Sequence, residues 1–280
     1  MSYIITTEKI REFEKYLRLE ERSASTARKY ADAVTAFYDF LPPDKSVSRE
    51  RLLRWKNELR DSRAASTVNV MISAVNSFFA FMSWNDLHTK QIRTQRRIYR
   101  DTNRELSRDE YIKLLNAAKN DGNRRLFYLM QTLGATGIRI SELRFITVES
   151  LKNGRATVDC KGKRRGVLIP KRLRDALLNY CEAEGIVSGP VFVTKHGNPV
   201  NHSNIWRELR KLCSAARVAP HKVFPHNFRH LFAVTFYRQQ KDIAKLADLL
   251  GHASIDTTRI YIMESGAEHE RQIERLGLVV

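Results

Sequence analysis

From Thr7 to Met82 the apolar residues recur every three or four positions, a spacing that admits little except amphipathic helix. Ile10, Phe13 and Leu17 make one stripe behind Thr7 as a capping residue. Ser25 and Thr26 precede a second stripe of Tyr30, Val34, Phe37 and Leu41, which Pro42-Pro43 ends. A third follows Ser48 with Leu52, Trp55 and Leu59. Ser66 and Thr67 open a fourth, carrying Met71, Ile72, Val75, Phe78, Phe79 and Met82. Four helices of this kind bury their stripes against one another, which predicts a small N-terminal bundle over residues 1–84.

Periodicity then fades while basic residues accumulate. Lys90, Arg93, Arg96, Arg97, Arg100 and Arg104 fall in a stretch expected to be a linker, 85–104, that follows a phosphate backbone or is simply solvated. Ser107 and Glu110 form a capping box, and a second domain, 105–280, begins there. Leu114, Leu115 and Ala118, then Leu126, Met130 and Leu133, predict two helices, with stops at Gly134 and Thr136-Gly137. A short β-insert is expected next: a turn signal at Asn153-Gly154, a strand over Arg155–Cys160, a partner strand over Gly166–Ile169, and the basic turn Lys161-Gly162-Lys163-Arg164-Arg165 between them. Helices resume over Leu173–Glu184 and Ile205–Ala216, then from Asn227, from Asp242 to Leu250 with Gly251 as C-cap, and from Ser254. The fold class expected is mainly α: an N-terminal four-helix bundle and a mostly helical C-terminal domain with a small antiparallel insert.

Charge narrows the partners. The 280 residues include 49 Lys plus Arg against 31 Asp plus Glu, a net charge of +18, and both halves of the chain share the excess. Such a balance favours a polyanion. No run approaches the roughly 20 apolar residues of a membrane span, and the first five residues are too short for a signal peptide, so a soluble, intracellular, cytoplasmic protein without membrane contact is expected. Cys160, Cys181 and Cys213 are odd in number and lack a Cys-x-x-Cys pair, which predicts reduced, mostly buried thiols. There is no phosphate-binding glycine loop, no G-x-S-x-G, and no His or carboxylate cluster at metal-ligand spacing. Neither a cofactor nor a metal is expected.

The remaining chemistry lies in cations and one tyrosine. Arg139 follows a helix break, with Glu142 one turn on to orient it. His226 and Arg229 share a helix face at i, i+3, a pairing that attracts an anion. His252 sits at a helix end, and Tyr261 lies nine residues further. Each of these alone has a bland reading as a surface, capping or packing residue.

Together the segments A-T-G-I-R-I-S-E-L, H-N-F-R-H and L-G-H-A-S-I-D-T-T-R-I-Y strongly resemble the boxes of the tyrosine site-specific recombinases, the phage-integrase and Xer group, in order and spacing as well as in residues. The resemblance covers essentially the whole chain. It implies an N-terminal core-binding domain and a catalytic domain with a three-stranded insert. It makes Arg139 and Arg229 the catalytic arginines, His226 and His252 the box histidines, Tyr261 the nucleophile and Lys161 the turn lysine, with Lys163 a rival. The family commonly reads G-K-G where this chain reads Cys160-Lys161-Gly162, and Phe228 stands where Leu is usual.

The resemblance further implies double-stranded DNA with paired inverted half-sites as partner. It implies a tetramer on synapsed DNA, of one recombinase or of two, in a prokaryotic, nucleoid-associated setting. Ser25, Thr26, Arg28, Lys29, Ser66, Thr67 and Asn69 become candidate DNA contacts, with Arg97 and Lys163, although several serve equally well as helix caps. The segment from Gly266 to Val280, with Ile273, Leu276 and Leu278, docks on a neighbouring protomer or folds back on its own domain. The alternatives are a type IB topoisomerase-like enzyme and a non-catalytic DNA-binding protein.

Overall fold

The computed structural model describes residues 3–93, 102–160, 163–194, 196–262, 270–271 and 274–278. It divides into two compact units, Met1–Arg96 and Arg97–Val280.

In the first unit a two-residue strand β1 (Tyr3–Ile4) pairs antiparallel with β2 (Ser46–Val47) beside four helices. The helices are α1 (Thr7–Leu19), α2 (Ala24–Phe40), α3 (Arg49–Ser62) and α4 (Ala65–Phe81). Their apolar faces meet in an aromatic core of Phe13, Phe37, Trp55, Phe78, Phe79 and Trp84. Phe13 meets Phe78 edge-on at 5.4 Å, and Phe37 tilts onto Trp55 at 4.9 Å.

The caps differ from the sequence reading. Thr6 rather than Thr7 caps α1, accepting from the Lys9 amide, and Ser23 caps α2, accepting from the Thr26 amide, leaving Ser25 and Thr26 inside its first turn. Ala64 starts α4 without a side-chain cap, so neither Ser66 nor Thr67 serves that purpose.

The expected linker also begins later than the sequence suggests. Residues 85–93 lie in the first unit because two asparagines on one face of α4 hold them. Asn76 accepts from the Thr89 amide at 3.0 Å and donates to the Thr89 carbonyl at 2.8 Å. Asn69, two turns earlier, makes the same pair with Ile92 at 2.7 and 2.9 Å. Each carboxamide thus imitates a neighbouring β-strand. Asn69, expected among the DNA contacts, has its amide engaged in this strap. Arg97 lies outside the described residues.

The second unit opens with α5 (Arg108–Asn120), whose Ser107–Glu110 capping box forms as expected at 3.1 and 2.8 Å. Next comes α6 (Arg124–Thr136), which runs through Gly134 and ends at Gly137. Gly137 adopts φ +62°, and a Cβ there would come within 2.5 Å of the Phe232 ring, so glycine is required twice over. A run of 3-10 turns over Ile140–Phe145 leads to α7 (Val148–Lys152), then to β3 (Arg155–Cys160) and β4 (Lys163–Leu168).

The hairpin corrects the sequence reading in two ways. Gly154 joins α7 to β3 instead of turning between strands, and β4 begins at Lys163, opposite Cys160. Of the expected five-residue basic turn, Lys163, Arg164 and Arg165 are strand, and Lys161 and Gly162 lie outside the described residues. Only two paired strands form here among the described residues. Beyond them lie α8 (Lys171–Ala183), α9 (His202–Ala216), α10 (Pro225–Gln240), α11 (Ile243–Leu250) and α12 (Ile255–Ile262). α10 starts two residues before the expected Asn227, with Pro225 at its first position, where a missing amide costs nothing.

One large core spans α5 to α10, and a smaller cluster of Ala233, Leu246, Leu250 and Tyr261 sits under α10 to α12. Cys181 and Cys213 are buried free thiols, as expected. No helix among the described residues is long and apolar enough to cross a membrane.

The strap yields a stability test. Replacing Asn76 by Ala strips both partners from Thr89, which is 6% exposed. A loss of about 1–3 kcal/mol is expected in urea unfolding; an unchanged midpoint would show that water replaces the amide freely.

Candidate active site

Three chain breaks converge on one place. After α6 stops at Gly137, Ile138 is buried and Arg139 takes an extended backbone at the start of the 3-10 turns. Glu142, one turn on, is buried and holds it twice: Oε2 accepts from the Arg139 amide at 3.0 Å and Oε1 from its Nη1 at 2.9 Å. Oε2 also accepts from Nη2 of Arg165 on β4 at 2.5 Å. Burial alone would raise the Glu142 pKa, yet the hydrogen bonds from Arg139 and the charges of Arg165 and Arg139 bring it below the ordinary carboxylate value.

The first turn of α10 supplies His226 and Arg229. Arg229 is 1% exposed and stays solvated by backbone. Nη1 donates to the Gly137 carbonyl at 2.5 Å, and Nη2 to the Leu250 carbonyl at 2.7 Å and to His252 Nε2 at 2.9 Å. Burial, and next the Arg139 charge, lower its pKa to about 10, so it remains a cation at neutral pH.

His252 follows Gly251, the left-handed cap of α11, and its amide reaches back to Ala247 at 3.0 Å. Its Nδ1 lies 2.8 Å from the hydroxyl of Thr258, which is buried in α12. Burial first, then the charges of Arg229, Arg139 and Arg165, drive its pKa down to about 4. Neutral at pH 7 and accepting from Arg229 at Nε2, it carries its proton on Nδ1 and gives it to Thr258.

Tyr261 ends the constellation, one helical turn after Thr258 and 2% exposed. Its hydroxyl is 3.3 Å from His226 Nε2. Its ring lies parallel to His252 with centroids 5.9 Å apart and meets His230 edge-on at 5.2 Å. His230 in turn stands 3.5 Å from Glu105. The His226 pKa is lowered, by burial before the charges of Arg229 and Arg139, which keeps the imidazole free to accept a proton.

Five of the six residues expected to carry chemistry, Arg139, His226, Arg229, His252 and Tyr261, thus surround one spot. The sixth, Lys161, lies outside the described residues, and Lys163 begins β4. The sequence reading missed Arg165, Thr258 and His230. Strand alternation from Lys163 would have turned Arg165 to the side of buried Val167, and helical spacing would have set Thr258 over Tyr261. Of the expected DNA contacts, Ser25, Arg28, Lys29, Ser66 and Thr67 are exposed on α2 and α4 of the first unit, and Thr26 is half-buried.

A buried tyrosine beside a neutral histidine and a cluster of fixed guanidiniums forms a site suited to an anionic group. Comparison with known proteins names the class. Residues 104–268 match the phage integrase family and residues 10–86 the phage integrase N-terminal SAM-like domain, so the chain belongs to the phage integrase family, the tyrosine recombinases.

The chain is 29% identical to tyrosine recombinase XerA of Pyrococcus furiosus over 284 residues, covering 98% of this chain and 96% of the relative. It is 30% identical to tyrosine recombinase XerC of Roseiflexus sp. over 277 residues, covering 89% and 87%. Among solved structures, a XerA recombinase matches with TM-score 0.53 at 26% identity, covering 97% of this chain and 98% of that one. A lambda integrase (75–356) dimer bound to a COC′ core site matches in fold with TM-score 0.74 at 18% identity, covering 95% and 97%.

The charge crowding is open to titration. In an imidazole NMR experiment His252 is expected to titrate near pH 4 and His226 below its ordinary 6.5. Because both folded-state values lie below the unfolded one, the unfolded chain takes up protons first. Their contribution to stability is therefore complete above about pH 6.5 and declines as pH falls towards 4. Ordinary titration of His252 near 6.5 would contradict the crowding.

Proposed function

We propose that this protein is a site-specific DNA recombinase that cuts and rejoins strands through a 3′-phosphotyrosyl intermediate and a Holliday junction, with Tyr261 as nucleophile. The observation that carries the reading is the Tyr261 hydroxyl 3.3 Å from a neutral His226, beside a guanidinium cluster with a single shared carboxylate.

In this mechanism the Tyr261 oxygen attacks the scissile phosphorus while its proton passes to His226. The bond from phosphorus to the 5′-oxygen breaks, and that oxygen takes a proton from a hairpin lysine, Lys161 or its rival Lys163. The phosphorane carries more negative charge than the diester, and the guanidinium forks of Arg139 and Arg229 bind its non-bridging oxygens. For His252 to donate there, Nε2 must hold the proton, so Thr258 has to give its own hydrogen to Nδ1. A 5′-hydroxyl from another strand then attacks the tyrosyl phosphate and reverses each transfer. One phosphodiester is exchanged for another, so no external energy source is required.

The partner proposed is double-stranded DNA with paired inverted half-sites. Ser25, Thr26, Arg28 and Lys29 on α2 and Ser66 and Thr67 on α4 are proposed as contacts from the core-binding domain. The net charge of +18 supports the reading and implies affinity that falls steeply with salt. A tetramer on synapsed sites, of this chain alone or with a second recombinase, is the proposed assembly, with the segment after Gly266 docking on a neighbour, in the cytoplasm of a prokaryote.

Covalent capture tests the proposal. Wild type and Tyr261→Phe are incubated with fragmented host DNA at low salt, quenched with detergent, and the attached DNA is sequenced. Recurrent inverted sequences bound by wild type alone are expected. Adducts formed by Tyr261→Phe would remove the nucleophile assignment, and scattered capture would favour a topoisomerase.

A further inference from the structure

Arg165 stands in β4, opposite Val158 and two residues after Lys163. Strand alternation puts it on the side of buried Val167 and Ile169, and its side chain is 15% exposed. A cation placed there needs acceptors, and it has them from two distant parts of the unit. Nη2 donates to Glu142 at 2.5 Å, and Nη1 to the Leu249 carbonyl near the end of α11 at 3.0 Å. Its buried Nε finds no acceptor among the described residues, so the terminal fork supplies the whole hold.

Both anchors belong to the reacting centre. Glu142 is the carboxylate that fixes the Arg139 amide and guanidinium. Leu249 precedes by three residues His252, which faces Tyr261. Between them Gly251, at φ +64°, packs so closely that a Cβ would overlap the Arg165 stem. One side chain therefore ties the hairpin to the segments bearing Arg139 and His252.

We propose that Arg165 is a positioning residue that locks the β3–β4 hairpin onto Glu142 and α11, so that the proton of the hairpin lysine is delivered only where Arg139 and His252 are already set. The inference rests on the reading that a hairpin lysine protonates the leaving 5′-oxygen. A planar fork suits the task because two donors reach two acceptors on separate elements, whereas an ammonium is a point charge. Removing the fork frees the hairpin and leaves Glu142 still paired with Arg139.

Leaving-group chemistry isolates this role. A bridging 5′-sulfur departs as a thiolate without a proton, so a defect in acid delivery disappears on that substrate. A defect in Arg139 or His252 persists, because the phosphorane still needs its charge balanced. The duplex recovered by covalent capture is prepared with 5′-oxygen and with 5′-sulfur at the cleavage position. Single-turnover cleavage is then measured for wild type, Arg165→Met, Arg165→Lys, Lys161→Ala and Lys163→Ala.

Arg165→Met is expected to lose about 100-fold on the oxygen duplex and to approach wild type on the sulfur duplex. Arg165→Lys, which keeps a charge beside Glu142, should lose less and recover likewise. Equal loss on both duplexes, with a lysine variant rescued by sulfur, overturns the positioning role while the general-acid reading stands. Full activity of both Arg165 variants on oxygen overturns it too. Rescue of neither lysine variant removes the general-acid reading and this inference with it.

Discussion

The second unit is organised around one buried carboxylate. Glu142 accepts from the Arg139 amide, the Arg139 guanidinium and the Arg165 guanidinium, while Arg229 lies close by with two backbone carbonyls and His252 as partners. Three guanidiniums gathered near one carboxylate, which pairs with two of them, leave an excess of positive charge in a partly buried place. Folding tolerates it because the helix ends supply acceptors. The Gly137 carbonyl closes α6, and the Leu249 and Leu250 carbonyls close α11, each at the negative end of a helix. Charge-assisted hydrogen bonds of this kind contribute about 1.5–3 kcal/mol each, and without them desolvation would expel the arginines.

That excess shapes everything around it. His226 and His252 are held neutral, the one beside the Tyr261 hydroxyl and the other between Arg229 and Thr258. In the proposed mechanism, bases and donors would thus be in place before substrate arrives. The two left-handed glycines make this possible. Gly137 lets α6 stop against Phe232 just before Arg139, and Gly251 lets α11 stop against Arg165 just before His252.

Much of this was legible in the sequence, for physical reasons. Helical periodicity gave the four N-terminal helices, because amphipathic stripes as strong as Phe13–Leu17 or Ile72–Phe79 have few other solutions. The boxes pointed to Arg139, His226, Arg229, His252 and Tyr261, which the structure brings around one spot. Glu142 was readable as the orienting partner of Arg139 from spacing alone. Local competition hid the rest: several adjacent Ser and Thr offered equivalent caps, and Ser23 won over Ser25 and Thr26. The run Lys161–Arg165 read as a basic turn because its charge masked the strand alternation that buries Arg165. Asn69 read as a candidate DNA contact and Asn76 did not stand out, since their strap partners are backbone groups over ten residues away.

The dependence of the whole cluster on Glu142 is best measured by single-turnover cleavage with Glu142→Gln, which keeps the shape and removes the charge. If the carboxylate orders Arg139 and Arg165, covalent adduct formation should slow by about 100-fold, on oxygen and sulfur leaving groups alike, in a protein that still folds. Wild-type rates for Glu142→Gln would show that the arginines find their places without it, and would contradict the central role given to this carboxylate.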